Sequence, residues 1–298
     1  MLSAHPVSNR SPWRALHDFW LLTKPSIMLL ILITGFTTLL VASEGIPPVS
    51  LTLAAMIGMA LASGSANALN CYIDRDIDAI MTRTRNRPLP AGRLAPSQAL
   101  VFGIVLGIGA FAVLAAHANL LSASIALGGI LFYVLVYTLG LKRRTPQNIV
   151  IGGAAGAVPP LIAWAAVTGT VEWPAVLLFA IIFLWTPPHF WSLALLSSAD
   201  YDRAGVPMMP VVRGEEETRR QIVAYAALLI PATAGMYLVG FSGLFFLISG
   251  LALGFVFLWK SWNLLRTRTR EAAKDVFLFS VYYLGLVFLA LVIDRLVL

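Results

Sequence analysis

Asn70, Asp74 and Asp78 fall four residues apart at the end of a long apolar stretch. A helix running through them stacks all three on one face, with Asn67 one turn below. Two carboxylates at that spacing repel each other unless a cation sits between them. Oxygen ligands select a hard ion, and Mg2+ takes one or two carboxylates, keeps waters and bridges to a substrate phosphate. Downstream, Arg83, Arg85, Arg87 and Arg93 surround Asn86, Pro88, Leu89 and Pro90, so a basic loop follows the acidic face. Arginine forks match phosphate oxygens in bidentate fashion, and the juxtaposition suits a metal-bound diphosphate. Taken by themselves, the arginines have a second reading, as charges that only set membrane topology.

Three further segments carry polar chemistry. Lys142, Arg143, Arg144 and Asn148 lie together between two apolar runs, where phosphate oxygens would arrive. Asp200, Tyr201 and Asp202 open the second long polar connection. His189 stands inside an apolar run, beside Trp185, Phe190 and Trp191. An intramembrane histidine is either a hydrogen-bonded packing residue or a ligand, and the residues leave both readings open. Gly152, Gly153 and Gly156 are read as close helix packing, as small residues do in membranes. Glu215 to Glu217 read as a solvated helix start, and His117 sits at the opposite face and is given no role.

The elements that must position these groups follow from composition. Of 298 residues, 59% are apolar and 12% charged, with mean hydropathy +0.83, which excludes a water-soluble globule or a disordered chain. Nine runs of at least 18 residues lack Asp, Glu, Lys and Arg: 26–43, 51–70, 98–116, 120–140, 149–168, 174–196, 222–240, 242–259 and 276–293. Each is long enough to cross about 30 Å of hydrocarbon as a helix. Continuous apolarity, rather than alternation, favours helices over barrel strands, so an all-α integral membrane protein is predicted. With the N-terminus cytoplasmic and the C-terminus outside, 20 of the 21 Lys and Arg lie inside, from Arg10 to Lys274, and Arg295 alone outside. That asymmetry follows the positive-inside rule, accounts for the net charge of +7 without nucleic acid, and puts the chemistry at the cytoplasmic face. Residues 1–25 form a cytoplasmic segment with no removable targeting pattern, and 26–298 one integral domain. The single cysteine, Cys71, excludes an intrachain disulfide framework. An acidic loop after the second run and another after the sixth suggest a duplicated helical unit.

Residues 70–78, read as N-x-x-x-D-x-x-x-D and followed by Arg83-Thr-Arg-Asn-Arg87-Pro-Leu-Pro90, resemble the first aspartate-rich motif of the UbiA superfamily of intramembrane prenyltransferases. The resemblance implies nine helices around a central cavity open to the bilayer, with Mg2+ and a prenyl diphosphate under the cytoplasmic loops. Asp74 and Asp78, with Asn70, would hold the metal, while Arg83, Arg87, Lys142 and Arg143 receive the remaining phosphate charge. Three more patterns are similar to the protohaem IX farnesyltransferase branch: Lys142-Arg-Arg-Thr-Pro-Gln-Asn148, Trp185-Thr-Pro-Pro-His189-Phe-Trp191, and Asp200-Tyr201-Asp202-Arg-Ala-Gly-Val-Pro-Met-Met-Pro210. That branch implies farnesyl diphosphate and protohaem IX (haem B) as substrates, haem O as product, His189 as a ligand of the haem iron, and Trp185 and Trp191 over the porphyrin. The short N-terminal segment without a transit pattern points to a bacterial plasma membrane, with lipid around the chain, and the branch implies a haem A synthase or terminal oxidase assembly as partner. The chain departs from the superfamily at its second motif, commonly D-x-x-x-D: the position four after Asp200 is Ala204, which puts metal binding by Asp200 and Asp202 in doubt. An aromatic-ring prenyltransferase and a secondary transporter are the alternative readings.

Overall fold

The computed structural model describes residues 11–296. Arg10, counted among the inward charges, and the first ten residues of the 1–25 segment lie outside them. Among the described residues the structure is helical: α1 Pro12–Leu22, α2 Pro25–Ala42, α3 Val49–Ile73, α4 Arg75–Ile80, α5 Pro96–His117 and α6 Leu120–Leu131 come first. A π-helix, Phe132–Leu141, continues α6, and α7 Asn148–Ala157, α8 Pro159–Thr168, α9 Trp173–Leu196, α10 Ser198–Arg203, α11 Met209–Val212, α12 Gly214–Leu238, α13 Leu244–Thr267 and α14 Arg270–Leu296 follow. These elements make up nine segments long and apolar enough to span a membrane, one for each uncharged run.

The fourth, fifth and seventh depart from the apolar run in different ways. The fourth widens into the π-helix after Leu131, and the fifth is interrupted at Val158, where Pro159 and Pro160 restart it. The seventh begins at Gly214, ahead of its apolar run, because Glu215, Glu216 and Glu217 favour a helix N-terminus and pair one turn on with Arg219, Arg220 and Gln221.

Each long helix packs against the next along the chain, and α14 returns to α2, closing a ring. One apolar core joins α9, α12, α13 and α14, with Trp191, Phe257, Tyr283 and Phe288 buried; a second joins α2, α3, α5, α6 and α8 around Leu39, Met59 and Leu114. The outer wall exposes Leu29, Val101, Ile108, Phe255 and Trp259, the apolar surface that hydrocarbon would cover. Polar contacts gather at the two ends. Lys24 meets Asn70, Lys142 meets Asp74, Arg203 meets Thr82 and Arg268 meets Glu216 at one end, whereas Glu44 pairs with Arg295 and Asp294 caps α13 at the other.

Candidate active site

The joint between α3 and α4 builds the carboxylate face. Asp74 separates the two helices, yet the one-turn backbone ladder runs through it: Asp74 N–H donates to Asn70 O at 2.9 Å and Asp78 N–H to Asp74 O at 2.8 Å. Asn70, Asp74 and Asp78 therefore stay on one face, and all three are buried at 2% exposure or less. Burying two carboxylates requires partners. Lys142 and the Asn70 amide (2.8 Å) both donate to Asp74 Oδ2, and Arg87 donates to Asp78 Oδ2 at 2.8 Å. Lys24 Nζ donates to Asn70 Oδ1 at 2.8 Å, which turns the amide nitrogen toward Asp74 and Thr138. Arg143 forks onto Asp76, at 2.7 and 2.8 Å, and holds the Asp76 carboxyl below the usual carboxylate range. Its Nη2 also approaches Asp74 Oδ1 to 3.7 Å.

The cations arrive from three different segments, with Lys142 and Arg143 sharing one. Lys24 occupies the left-handed region (φ 52°) between α1 and α2, a kink that lets Pro25 start the next helix while the lysine turns inward. Burial pulls its ammonium down to about 8, and the charges of Arg87 and Lys142 act in the same direction. The π-helix brings in Thr138 and Lys142. Its wider turns show in the Thr138 hydroxyl bond to Tyr133 O (2.8 Å) and the Lys142 N–H bond to Tyr137 O (2.8 Å), each five residues back. Gly152 of α7 makes room for it, since a Cβ there would stand 2.2 Å from the Tyr137 ring. Gly153 is also tight, with a Cβ there 2.7 Å from the Thr186 side chain, whereas Gly156 faces open space, so two of the three glycines are close-packing positions.

Arg87 belongs to the loop between α4 and α5, which α1 straps down. Asp18, buried on α1, accepts from Arg93 Nε at 2.8 Å, and Leu22 packs into a small cluster with Cys71, Leu89 and Leu94. Arg83, on the same loop, is exposed. Asn148 is fully buried at the start of α7; its amide donates to Thr145 O at 2.7 Å, and its Oδ1 has no hydrogen-bond partner among the described residues. On α10 the Asp200 carboxylate is engaged by Arg203, which also donates to Thr82 Oγ1 at 2.9 Å, so Arg203 ties the second polar connection to the first. Tyr201 is buried and Asp202 exposed.

A second cluster sits between α9 and α14. His189 is sandwiched by Trp185 (ring centroids 4.4 Å apart, 19°) and Phe277 (4.9 Å, 26°), with Phe190 edge-on. Its Nδ1 lies 2.7 Å from Ser280 Oγ, and Trp185 Nε1 donates to Ser280 O at 2.6 Å. Trp191, two residues beyond His189, points instead to Tyr225 of α12, edge-to-face at 5.6 Å. Sequence spacing thus assembles His189, Trp185 and Phe190 but misses Phe277 and Ser280.

For a hard cation the donor set is suitable. Asp74 and Asp78 offer oxygen only, while Asn70 turns its amide nitrogen toward Asp74 and its Oδ1 toward Lys24; Asp74 Oδ1 is buried with no hydrogen-bond partner among the described residues. No group of three or more His, Cys, Asp or Glu converges among those residues, so phosphate or water would complete the coordination. The sequence reading passed over Lys24, counted only as a topology charge, and Thr138, Asp18 and Ser280.

The sequence pattern of the UbiA prenyltransferase family matches residues 30–290. A protoheme IX farnesyltransferase of Symbiobacterium thermophilum is 54% identical over 283 residues, covering 94% of this chain and 95% of its own length. A solved digeranylgeranylglyceryl phosphate synthase shares the fold with a TM-score of 0.79 at 21% identity, over 95% of this chain and 99% of its own. A UbiA homolog from Archaeoglobus fulgidus, solved bound to DMAPP and Mg2+, does so with a TM-score of 0.66 at 16% identity, over 92% and 99%.

Proposed function

Because the chain belongs to the UbiA prenyltransferase family, we infer that this multi-pass membrane protein transfers the farnesyl group of farnesyl diphosphate to a vinyl group of protohaem IX. Water adds in the same reaction, and the products are haem O and diphosphate. Relatives bearing that activity at 46–54% identity over nearly the whole chain support the substrate pair. The observation that carries the chemistry is the buried Asn70–Asp74–Asp78 face ringed by Lys24, Arg87, Lys142 and Arg143.

Asp74, Asp78 and Asn70 would hold Mg2+, which when bound supplies Lewis-acid stabilisation of the leaving diphosphate. The chain's own cations do the rest. Lys24, Arg87, Lys142 and Arg143 rest on carboxylate or amide oxygens and sit within reach of phosphate oxygens arriving at the same end. Moving these preformed charges onto the diphosphate lowers the barrier to ionising the allylic C1–O bond. Apolar helix faces receive the farnesyl tail and keep water from the allylic cation until the vinyl carbon attacks it. His189, between Trp185 and Phe277, is the candidate ligand of the haem iron. Asp200 contributes by closing the second connection over the first through Arg203 and Thr82, with Tyr201 buried beside it.

The charge asymmetry supports the reading that this end faces the cytoplasm with the C-terminus outside, and the bacterial relatives support a plasma membrane location. The haem product, carrying a long apolar tail, is then released where a membrane-bound haem-modifying enzyme or terminal oxidase takes it up. The test is an assay of purified protein with haem B, farnesyl diphosphate and Mg2+, with mass spectrometry of the extracted haem. A mass gain equal to farnesyl plus water that chelator removes supports both substrates and the metal. Prenylation of a quinone precursor with unmodified haem would overturn the haem assignment.

A further inference from the structure

We propose that Ser280 is a positioning residue that locks His189 in one tautomer, with Nδ1 protonated and Nε2 bare, ready to ligate the iron of the haem substrate. The inference rests on the reading of His189 as the haem ligand and adds to it the group that makes ligation possible. It comes from a count of protons. Ser280 Oγ stands 2.6 Å from the carbonyl oxygen of Phe277 and 2.7 Å from His189 Nδ1. A carbonyl oxygen has no proton to give, so the short contact to Phe277 O uses the one proton the hydroxyl carries. The contact to His189 must then be made by a proton on Nδ1, with Ser280 Oγ accepting. In a neutral imidazole this leaves Nε2 with a free lone pair.

The surroundings prevent the ring from escaping that state. Trp185 and Phe277 cover both faces of the imidazole, and Phe190 closes one edge. Trp185 is itself fixed by its indole bond to Ser280 O, so one residue of α14, fully buried, holds the ligand through its hydroxyl and the stacking partner through its carbonyl. A half-turn of the ring about Cβ–Cγ would put Cδ2 where Nδ1 stands and lose the Ser280 bond, and the two stacked rings obstruct that turn. The two faces being occupied, the edge bearing Nε2 is the part of the ring left for iron. Metal-bound histidines ordinarily give their second N–H to such an acceptor, which fixes orientation and raises ligand basicity.

The first measurement needs no variant in the box: the 15N spectrum of imidazole-labelled full-length protein without haem, in which His5, His17 and His117 are replaced by Gln so that His189 is the one signal. Protonated Nδ1 with bare Nε2 is expected; a protonated Nε2 would overturn the proposal. The second is resonance Raman of the ferrous haem B complex of each variant. H189A should lose the iron–imidazole band. S280A should keep it at lower frequency and lose about 10- to 100-fold in haem affinity, the range for removing such an acceptor. S280T, which restores the hydroxyl, should return both toward wild type. If H189A loses the band while S280A matches wild type in frequency and affinity, the Ser280 role fails and haem ligation by His189 stands. A band unchanged in H189A sinks the ligand reading itself.

Discussion

The two polar clusters of this molecule are held together in different ways. At the ionic end, Asn70, Asp74 and Asp78 meet four cations drawn from three separate segments, and Asp74 alone contacts Lys142, Asn70 and Arg143. In the aromatic box one histidine depends on one serine, and the rest is ring stacking. Charge networks spread the load, so that removing a peripheral cation weakens binding, whereas removing a carboxylate leaves buried cations unmatched. The box has no such redundancy, and its failures should be spectroscopic before they are ionic. Substitutions at the ionic end should therefore affect farnesyl diphosphate and leave haem alone.

The largest effect is expected at the carboxylates. Asp74→Asn and Asp78→Asn should each lower kcat by at least about 10^2- to 10^3-fold, the scale of losing one preorganised electrostatic group. The haem B spectrum should be unchanged at equal membrane abundance. Turnover near wild type in either variant would remove the metal role from this face. Lys24→Met comes next. It deletes a charged hydrogen bond to a buried amide, so KM for farnesyl diphosphate should rise roughly 10- to 100-fold, with KM for haem B constant. An equal rise for both substrates would show that the two clusters are not separable. Asp18→Asn acts further out, by loosening the loop that carries Arg87 through Arg93 and Leu89. A rise of about 3- to 10-fold in the same KM is expected, absent when Arg87 is already Ala; additive losses would place Asp18 outside that chain of contacts.

How much of each region the sequence displays follows from the same difference. The ionic face is a local pattern: four-residue spacing survives the α3–α4 joint because the backbone ladder does, so Asn70, Asp74 and Asp78 are legible as a set. The spans are equally plain, since uncharged length is a one-dimensional property. Lys24 is not legible, because the bond to Asn70 spans 46 residues and depends on a left-handed kink before Pro25. Lys142 is legible as a cation, but Thr138 is not, because both reach the site through a π-helix and Phe132–Leu141 reads as an ordinary apolar run. Ser280 and Phe277 lie some 90 residues from His189, on a helix whose sequence gives no hint that it packs on α9. The one available cue is that Ser280 is a polar residue inside the last apolar run.

Trp191 separates these two kinds of knowledge and carries the smallest predicted effect. Adjacency to His189 suggests that its indole covers the porphyrin, yet two residues along a helix turn a side chain about 200° away, to a different face. There it meets Tyr225 of α12, fully buried, and its Nε1 has no hydrogen-bond partner among the described residues. Trp191→Phe therefore removes a buried N–H that makes no bond and keeps an aromatic ring against Tyr225, while Trp185 and Phe277 still hold His189. Thermal stability should change by no more than about 1 to 2 kcal/mol, the cost of a modest volume loss in a packed core. The haem B absorption and iron–imidazole band should match wild type, in contrast to Trp185→Phe, which loses the bond to Ser280 O. A haem spectrum shifted by Trp191→Phe as much as by Trp185→Phe would extend the box across α9 and tie it to the α12 core.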